Sequence, residues 1–131
     1  MTLKNKKILI IIGGGIAAYK SLDLIRLLRK NDVQVKTILT KSGREFVTPL
    51  SLSTLTKSKT FENMFDSETE TEIDHISLSR WADIILVMPT TANLMSKLSI
   101  GKAEDLATTV LLAADKDCLL YTSDAADDEL G

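Results

Sequence analysis

Lys7 to Ile12 reads K-I-L-I-I-I, an unbroken aliphatic run dominated by isoleucine. A strand without polar alternation has no face to offer water, so it belongs inside a parallel sheet covered on both sides. Gly13, Gly14 and Gly15 stop it. From Ile16 to Lys30 apolar residues recur at helical spacing (Ala18, Leu22, Ile25, Leu28), and Lys20, Asp23, Arg26 and Lys30 make the opposite face polar. Asn31-Asp32 is a turn, and Val33 to Leu39 reads as a second strand. Strand, glycine turn, helix and strand in that order form a βαβ unit, which fixes the class as α/β with a parallel sheet.

The rest of the chain extends that pattern. Ser42 to Thr56 reads as two short helices broken at Thr48-Pro49, because proline disfavours helix at the residue before it. Phe61 to Thr71 is polar and acidic, a loop anchored by Phe61, Met64 and Phe65, and His75 to Ala82 forms a short helical turn. Asp83 to Met88 (D-I-I-L-V-M) is a second fully buried strand, ended by Pro89. Thr90 to Ile100 is helical by the spacing of Leu94, Met95 and Leu98; Gly101 ends it, and Glu104 to Ala114 is helical again. Cys118 to Glu129 resembles the conceptual translation of a sequencing adapter, so residues 118–131 are expected to be a non-native tail. Within it, C-L-L-Y-T-S (Cys118 to Ser123) has enough β-propensity to occupy an open sheet edge beside Asp83–Met88.

Composition narrows the chemistry. A 131-residue chain with 44% apolar and 26% charged residues suits one globular domain. A net charge of −2 gives no basic field, so nucleic acid is excluded as a partner. One cysteine, Cys118, and one histidine, His75, leave no disulfide framework and no cysteine- or histidine-rich metal site. The run ending at Ile12 is too short for a signal peptide or a membrane span, so the expected location is cytoplasmic.

The first turn, Gly13-Gly14-Gly15-Ile16-Ala17-Ala18, allows close backbone approach and leads into a helix whose unpaired N–H groups suit a phosphate. Equally, glycine there serves a tight turn by geometry alone. The same residues satisfy G-x-G-x-x-A, but the second strand ends Leu39-Thr40-Lys41 without the ribose-binding carboxylate, which disfavours NAD. An NADP-binding module, with Lys41 or Arg44 on the extra phosphate, remains an alternative. Pro89-Thr90-Thr91-Ala92-Asn93 follows a buried strand at the end where such sheets bind ligands. Its hydroxyls and amide suit a flat polar ring, or Thr90 or Thr91 caps the next helix. An unperturbed imidazole titrates near neutrality, and His75, the one histidine, precedes the same strand, as a base or as a surface residue. Trp81 is a core anchor in preference to a stacking platform. Asp66, Glu68, Glu70, Glu72 and Asp74 read as a solvated acidic loop, not a metal site.

In order, the chain carries G-G-I-A-A-Y-K (Gly14 to Lys20), Thr40 with F-V-T-P-L-S-L (Phe46 to Leu52), and His75-Ile76-x-Leu78 through Trp81-Ala82-Asp83. Pro89-x-x-Ala92-Asn93, Lys97, Gly101, Ala103 and Asp105-Leu106 complete the series. From about Lys6 to Ala114 this resembles the flavoprotein domain of the bifunctional phosphopantothenoylcysteine decarboxylase/phosphopantothenate–cysteine ligase family of coenzyme A biosynthesis. The resemblance implies a flavodoxin-like Rossmann fold, three-layer α/β/α, that binds FMN and builds trimers with flavin near a subunit interface. Gly13, Gly14, Gly15, Ile16, Ala17 and Thr40 would hold the phosphate and ribityl chain. Pro89, Thr90, Thr91 and Asn93 would line the isoalloxazine, and His75 would be the catalytic base. In such enzymes, FMN oxidises the cysteinyl thiol of phosphopantothenoylcysteine to a thioaldehyde. That group accepts the carbanion left by CO2, and the enethiol formed is reduced again.

Gly13 departs from the serine or threonine usual in the family. The family also continues into a further strand, a proline-x-methionine-asparagine motif, a substrate-clamping loop with a cysteine, and the ligase domain. None is found in these residues. Residues 1–117 are therefore expected to be a C-terminally truncated flavoprotein (decarboxylase) domain, inactive as a fragment. A related peptidyl-cysteine decarboxylase, without the fused ligase, is the alternative within the wider family.

Overall fold

A computed structural model describes residues 3–62, 76–102, 105–115 and 117–121. Strand β1 (Lys7–Ile12) pairs with β2 (Gln34–Leu39) on one side and β4 (Ile84–Val87) on the other. Short β3 (Thr60–Glu62) lies outside β2, and β5 (Asp117–Leu120) lies outside β4. The order is β3-β2-β1-β4-β5, and every pairing is parallel. Helices α1 (Ala18–Lys30), α2 (Pro49–Thr56), α3 (Ala92–Ser99) and α4 (Leu106–Ala113) flank the sheet, with a 3-10 turn at Gly43–Glu45. Residues 76–81 are helical and lead into β4. This is the flavodoxin-like α/β fold expected from the sequence. Within that class, β2 and β3 both lie on one side of β1, as in the Rossmann arrangement.

The β1 side chains explain the layering. Ile8, Ile10 and Ile12 pack with Ala18, Ile25 and Leu28 of α1, Val35 and Leu39 of β2, and Leu52 of α2. Leu9 and Ile11 face the other way, against Leu78, Ile85, Val87, Leu106, Ala107 and Val110. Leu9 through Ile12 are 0% exposed, so the apolar run is buried on both faces. The chain leaves β1 toward β2 and β3, then returns to β4 and β5 on the other side. Between β1 and β4 lies the switch point, and the ligand-binding crevice of an open α/β sheet forms there.

Helix starts follow local chemistry. Gly15, at φ 146°, turns the chain into α1, which starts at Ala18, after the expected Ile16. Thr48 caps α2, its Oγ1 accepting from Ser51 N at 3.1 Å, with Pro49 in the first turn where its missing N–H costs nothing. Asp105 caps α4 through a reciprocal capping box with Thr108.

Two strands differ from the sequence reading. Thr60–Glu62 is a strand where a loop is expected from Phe61 onward. Its three residues pair with Thr37–Leu39, and Thr60 Oγ1 donates to Pro49 O at 3.0 Å. So short an edge strand is held by backbone pairing and has no hydrophobic alternation to betray it. The expected edge segment Cys118–Ser123 is found shifted, as Asp117–Leu120 along β4, with all four residues exposed. Met64, Phe65, His75 and the acidic run Asp66 to Asp74 lie outside the described residues.

Thr37 Oγ1 is buried in β2 and lacks a hydrogen-bond partner among the described residues. Thr37→Val should therefore raise the urea midpoint, by roughly 1 kcal/mol of stability, because it removes a desolvated hydroxyl. Ile10→Ala, at the centre of the sheet, should cost about 2–5 kcal/mol in the same titration.

Candidate functional site

A cavity of about 450 Å³ opens at the C-terminal ends of β1, β2 and β4. Gly13, Thr40, Pro89, Thr91 and Asn93 line it, so five of the expected site residues converge from three separate segments. Gly14, Gly15, Ile16, Ala17 and Thr90 are not part of its lining.

The glycines are packing residues first. A Cβ on Gly13 would lie 2.6 Å from Pro89 O, and one on Gly14 would lie 2.6 Å from Ser42 Cβ. The first βα turn is thus wedged between the loop after β4 and the turn after β2. This favours the geometric reading of the glycines without removing the phosphate reading. α1 has no side-chain cap and no acidic residue in its first turn, whereas side chains of Thr48, Thr91 and Asp105 cap α2, α3 and α4. The N–H groups of Ala18, Tyr19 and Lys20 instead donate to the carbonyls of Gly15, Ile16 and Ala17, and the positive end of the helix dipole still favours an anion.

At the end of β2, Thr40 Oγ1 donates to Ile12 O at 2.9 Å and accepts from Gly43 N at 3.1 Å. Its hydroxyl ties β1 to the 3-10 turn, and the residues after it, Lys41, Ser42 and Glu45, present polar groups to the cavity. Ser42 and Glu45 did not emerge as site residues from the sequence. Their signal was available: residues just past a central strand's C-terminal end line the crevice of such a sheet. Arg44, the alternative NADP-phosphate ligand, is instead paired with Glu62 at 3.0 Å.

On the opposite wall, the two threonines divide the roles proposed for them. Thr90 is buried, and its Oγ1 donates to Val87 O at 3.3 Å. Thr91 caps α3, accepting from Leu94 N at 3.1 Å, and also lines the cavity. Capping and cavity lining are therefore compatible at this position. Lys97 and Asp105 complete this wall, with Nζ and Oδ2 3.7 Å apart. Both stood in the sequence only as family landmarks. Local desolvation, despite its exposure at the surface, and the Asp117 carboxylate push the Cys118 thiol above its ordinary value.

A switch-point cavity with an uncapped helix N-terminus coincides with a family match: residues 1–121 fit the model described as Flavoprotein. The chain belongs to the Flavoprotein family. It is 43% identical over 115 residues to the coenzyme A biosynthesis bifunctional protein CoaBC of Haemophilus influenzae, covering 88% of this chain but 29% of that protein. The chain thus spans under a third of the curated relative's length. Among solved structures it resembles the FMN-dependent cysteine decarboxylase SpaF, with TM-score 0.78 and 25% identity, covering 91% of this chain and 69% of that one. It also resembles a variant PPC decarboxylase complexed with pantothenoylaminoethenethiol, with TM-score 0.72 and 26% identity, covering 88% and 65%.

The residues present fit the flavin that the family name implies. The cavity volume lies in the usual small-ligand range, and Thr40, Lys41, Ser42, Thr91 and Asn93 bring polar groups to its lining. Gly14→Ala tests the cradle. Its Cβ would also lie 3.2 Å from the Ser42 carbonyl carbon, so the turn itself has to move. The substitution should lower stability by roughly 1–3 kcal/mol in thermal melts and weaken flavin retention.

Proposed function

We propose that this chain is the FMN-binding decarboxylase part of a phosphopantothenoylcysteine decarboxylase, forming 4'-phosphopantetheine in cytoplasmic coenzyme A biosynthesis. The observation that carries this reading is the cavity at the β1–β4 switch point, in a chain 43% identical to a CoaBC protein over 88% of its length. Bound FMN would supply the electron sink that a cysteine carboxylate lacks when CO2 departs. The chain's own residues would bind and orient. The turn Gly13 to Ala17 would take the phosphate, with Lys41 and Ser42 of the cavity lining beside it. Thr40 holds β1, β2 and the 3-10 turn in register. Pro89, Thr91 and Asn93 face the ring, and Thr90 braces that loop from beneath.

His75 is the proposed base. In the sequence it stands just before residues 76–81, which are helical and lead to Asp83 ahead of β4, where Asp83 Oδ2 accepts from Lys7 N at 2.9 Å. A helix crossing back before a parallel strand starts from the sheet's ligand-binding end, which favours this reading. Its imidazole would take the proton of the cysteinyl thiol as the substrate is oxidised.

A homo-oligomer based on trimers belongs to the same proposal. Ile16, Tyr19 and Leu50 are 58%, 51% and 74% exposed, and Tyr19 meets Phe46 edge-on with ring centroids 5.8 Å apart. Apolar side chains left in water suit coverage by another copy. The likeness to SpaF favours, as a second reading, a decarboxylase acting on peptidyl cysteine. Parallel assays with phosphopantothenoylcysteine and a peptide ending in cysteine separate the two.

The natural gene product containing these residues should purify with flavin absorbance, and its released cofactor should be FMN. NADP or FAD in its place would refute the assignment. In that protein His75→Asn should retain flavin, while CO2 release from phosphopantothenoylcysteine falls about 10²–10⁴-fold. Near-wild-type turnover would make His75 structural.

A further inference from the structure

The cavity lining includes two charged residues, Lys97 and Asp105, that the proposed reaction does not use. Lys97 lies four residues after Asn93 on α3, so the two share a helix face, and both line the cavity. Lys97 Nζ is 3.7 Å from Asp105 Oδ2, and the two side chains are only 23% and 19% exposed. The other carboxylate oxygen, Oδ1, accepts from Thr108 N at 2.9 Å and from Thr108 Oγ1 at 2.8 Å. Asp105 is thereby fixed to the first turn of α4, and its free oxygen holds the ammonium toward the cavity. Lys41 and Glu45, the charges at the phosphate end, are exposed, so water screens them more strongly.

We propose that the Lys97–Asp105 pair sets the electron affinity of the flavin held in this cavity. This rests on the flavin reading above, and specifically on Thr91 and Asn93 facing the ring. Oxidised flavin is neutral at its ring; taking up two electrons and one proton leaves the ring with one negative charge. That charge arises at the end of the cavity where Asn93 and Lys97 sit. With both partners present the two charges act in opposite directions. Without the ammonium, the carboxylate opposes the new charge; without the carboxylate, the ammonium favours it. Lys97 and Asp105 are positioning residues in this scheme, acting through the field and not by bond making.

The two halves of the pair therefore predict shifts of opposite sign, which a merely structural ion pair does not. The test is a reductive titration with dithionite against a reference dye, on the FMN-loaded natural gene product containing these residues. Lys97→Met should lower the affinity for reduced relative to oxidised flavin roughly tenfold, a midpoint about 30 mV more negative for a two-electron couple. Asp105→Asn, which keeps a competent helix cap, should move the midpoint by a similar amount in the positive direction. Lys97→Arg should restore the unsubstituted value. If Lys97→Met does not fold, the sign of the Asp105→Asn shift and the Arg value decide alone. Midpoints that move in the same direction, or that stay within about 5 mV of the parent (under a twofold change in relative affinity), overturn the proposal. An unsubstituted protein that holds no flavin overturns the flavin reading itself, a separate and distinguishable failure.

Discussion

β1 has water on neither face. Its even residues enter the α1–α2 layer, and its odd residues enter the layer built by residues 76–81 and α4. Burial of a large aliphatic side chain contributes about 1.5–3 kcal/mol, and four consecutive β1 residues are completely enclosed. A strand enclosed in this way needs a parallel neighbour on each side to satisfy its backbone, and β2 and β4 supply them. The two directions of winding around β1 follow, and with them the gap at its C-terminal end.

That gap is shaped by contacts that leave no room for side chains. Gly13 abuts the Pro89 carbonyl, Gly14 abuts Ser42, and a Cβ on Gly43 would lie 2.5 Å from Ile12 O. Three loops from distant parts of the chain therefore close on one another at backbone distance. Thr40 secures the junction by donating to β1 and accepting from the turn after β2. The helices differ in how their first turns are satisfied. α2, α3 and α4 satisfy their own first turns with side chains, and α1 alone among these four presents its N-terminus uncapped. The first N–H groups of α1 turn instead to the carbonyls of Gly15, Ile16 and Ala17.

Much of this was legible in the residues. The apolar runs Lys7–Ile12 and Asp83–Met88, the glycine turn and the helical spacing from Ala18 onward declare a parallel α/β sheet, because burial and period are local properties of sequence. Pro89, Thr91 and Asn93 were legible as lining the crevice because they follow a buried strand. Less was legible where pairing depends on a neighbour. β3 holds three half-buried residues against β2, and nothing in T-F-E distinguishes it from a loop. Ser42 and Glu45 became cavity residues only when the turn after β2 folded beside the glycine turn.

Sequence alone determined the class of fold, the strand that must be central, the end of the sheet where a ligand sits, and the family. Each of these rests on short-range patterns: hydrophobic period, glycine placement and motif order. Tertiary structure decided which candidates share the cavity and what each is free to do there. It placed Thr90 beneath the loop and Thr91 on the cavity, and it committed the Thr40 hydroxyl to the backbone. It also turned Arg44 toward Glu62 and brought Lys97 against Asp105. The reason is physical: a side chain's chemistry depends on which donors, acceptors and charges surround it. Those neighbours come from segments that only the packed sheet brings together.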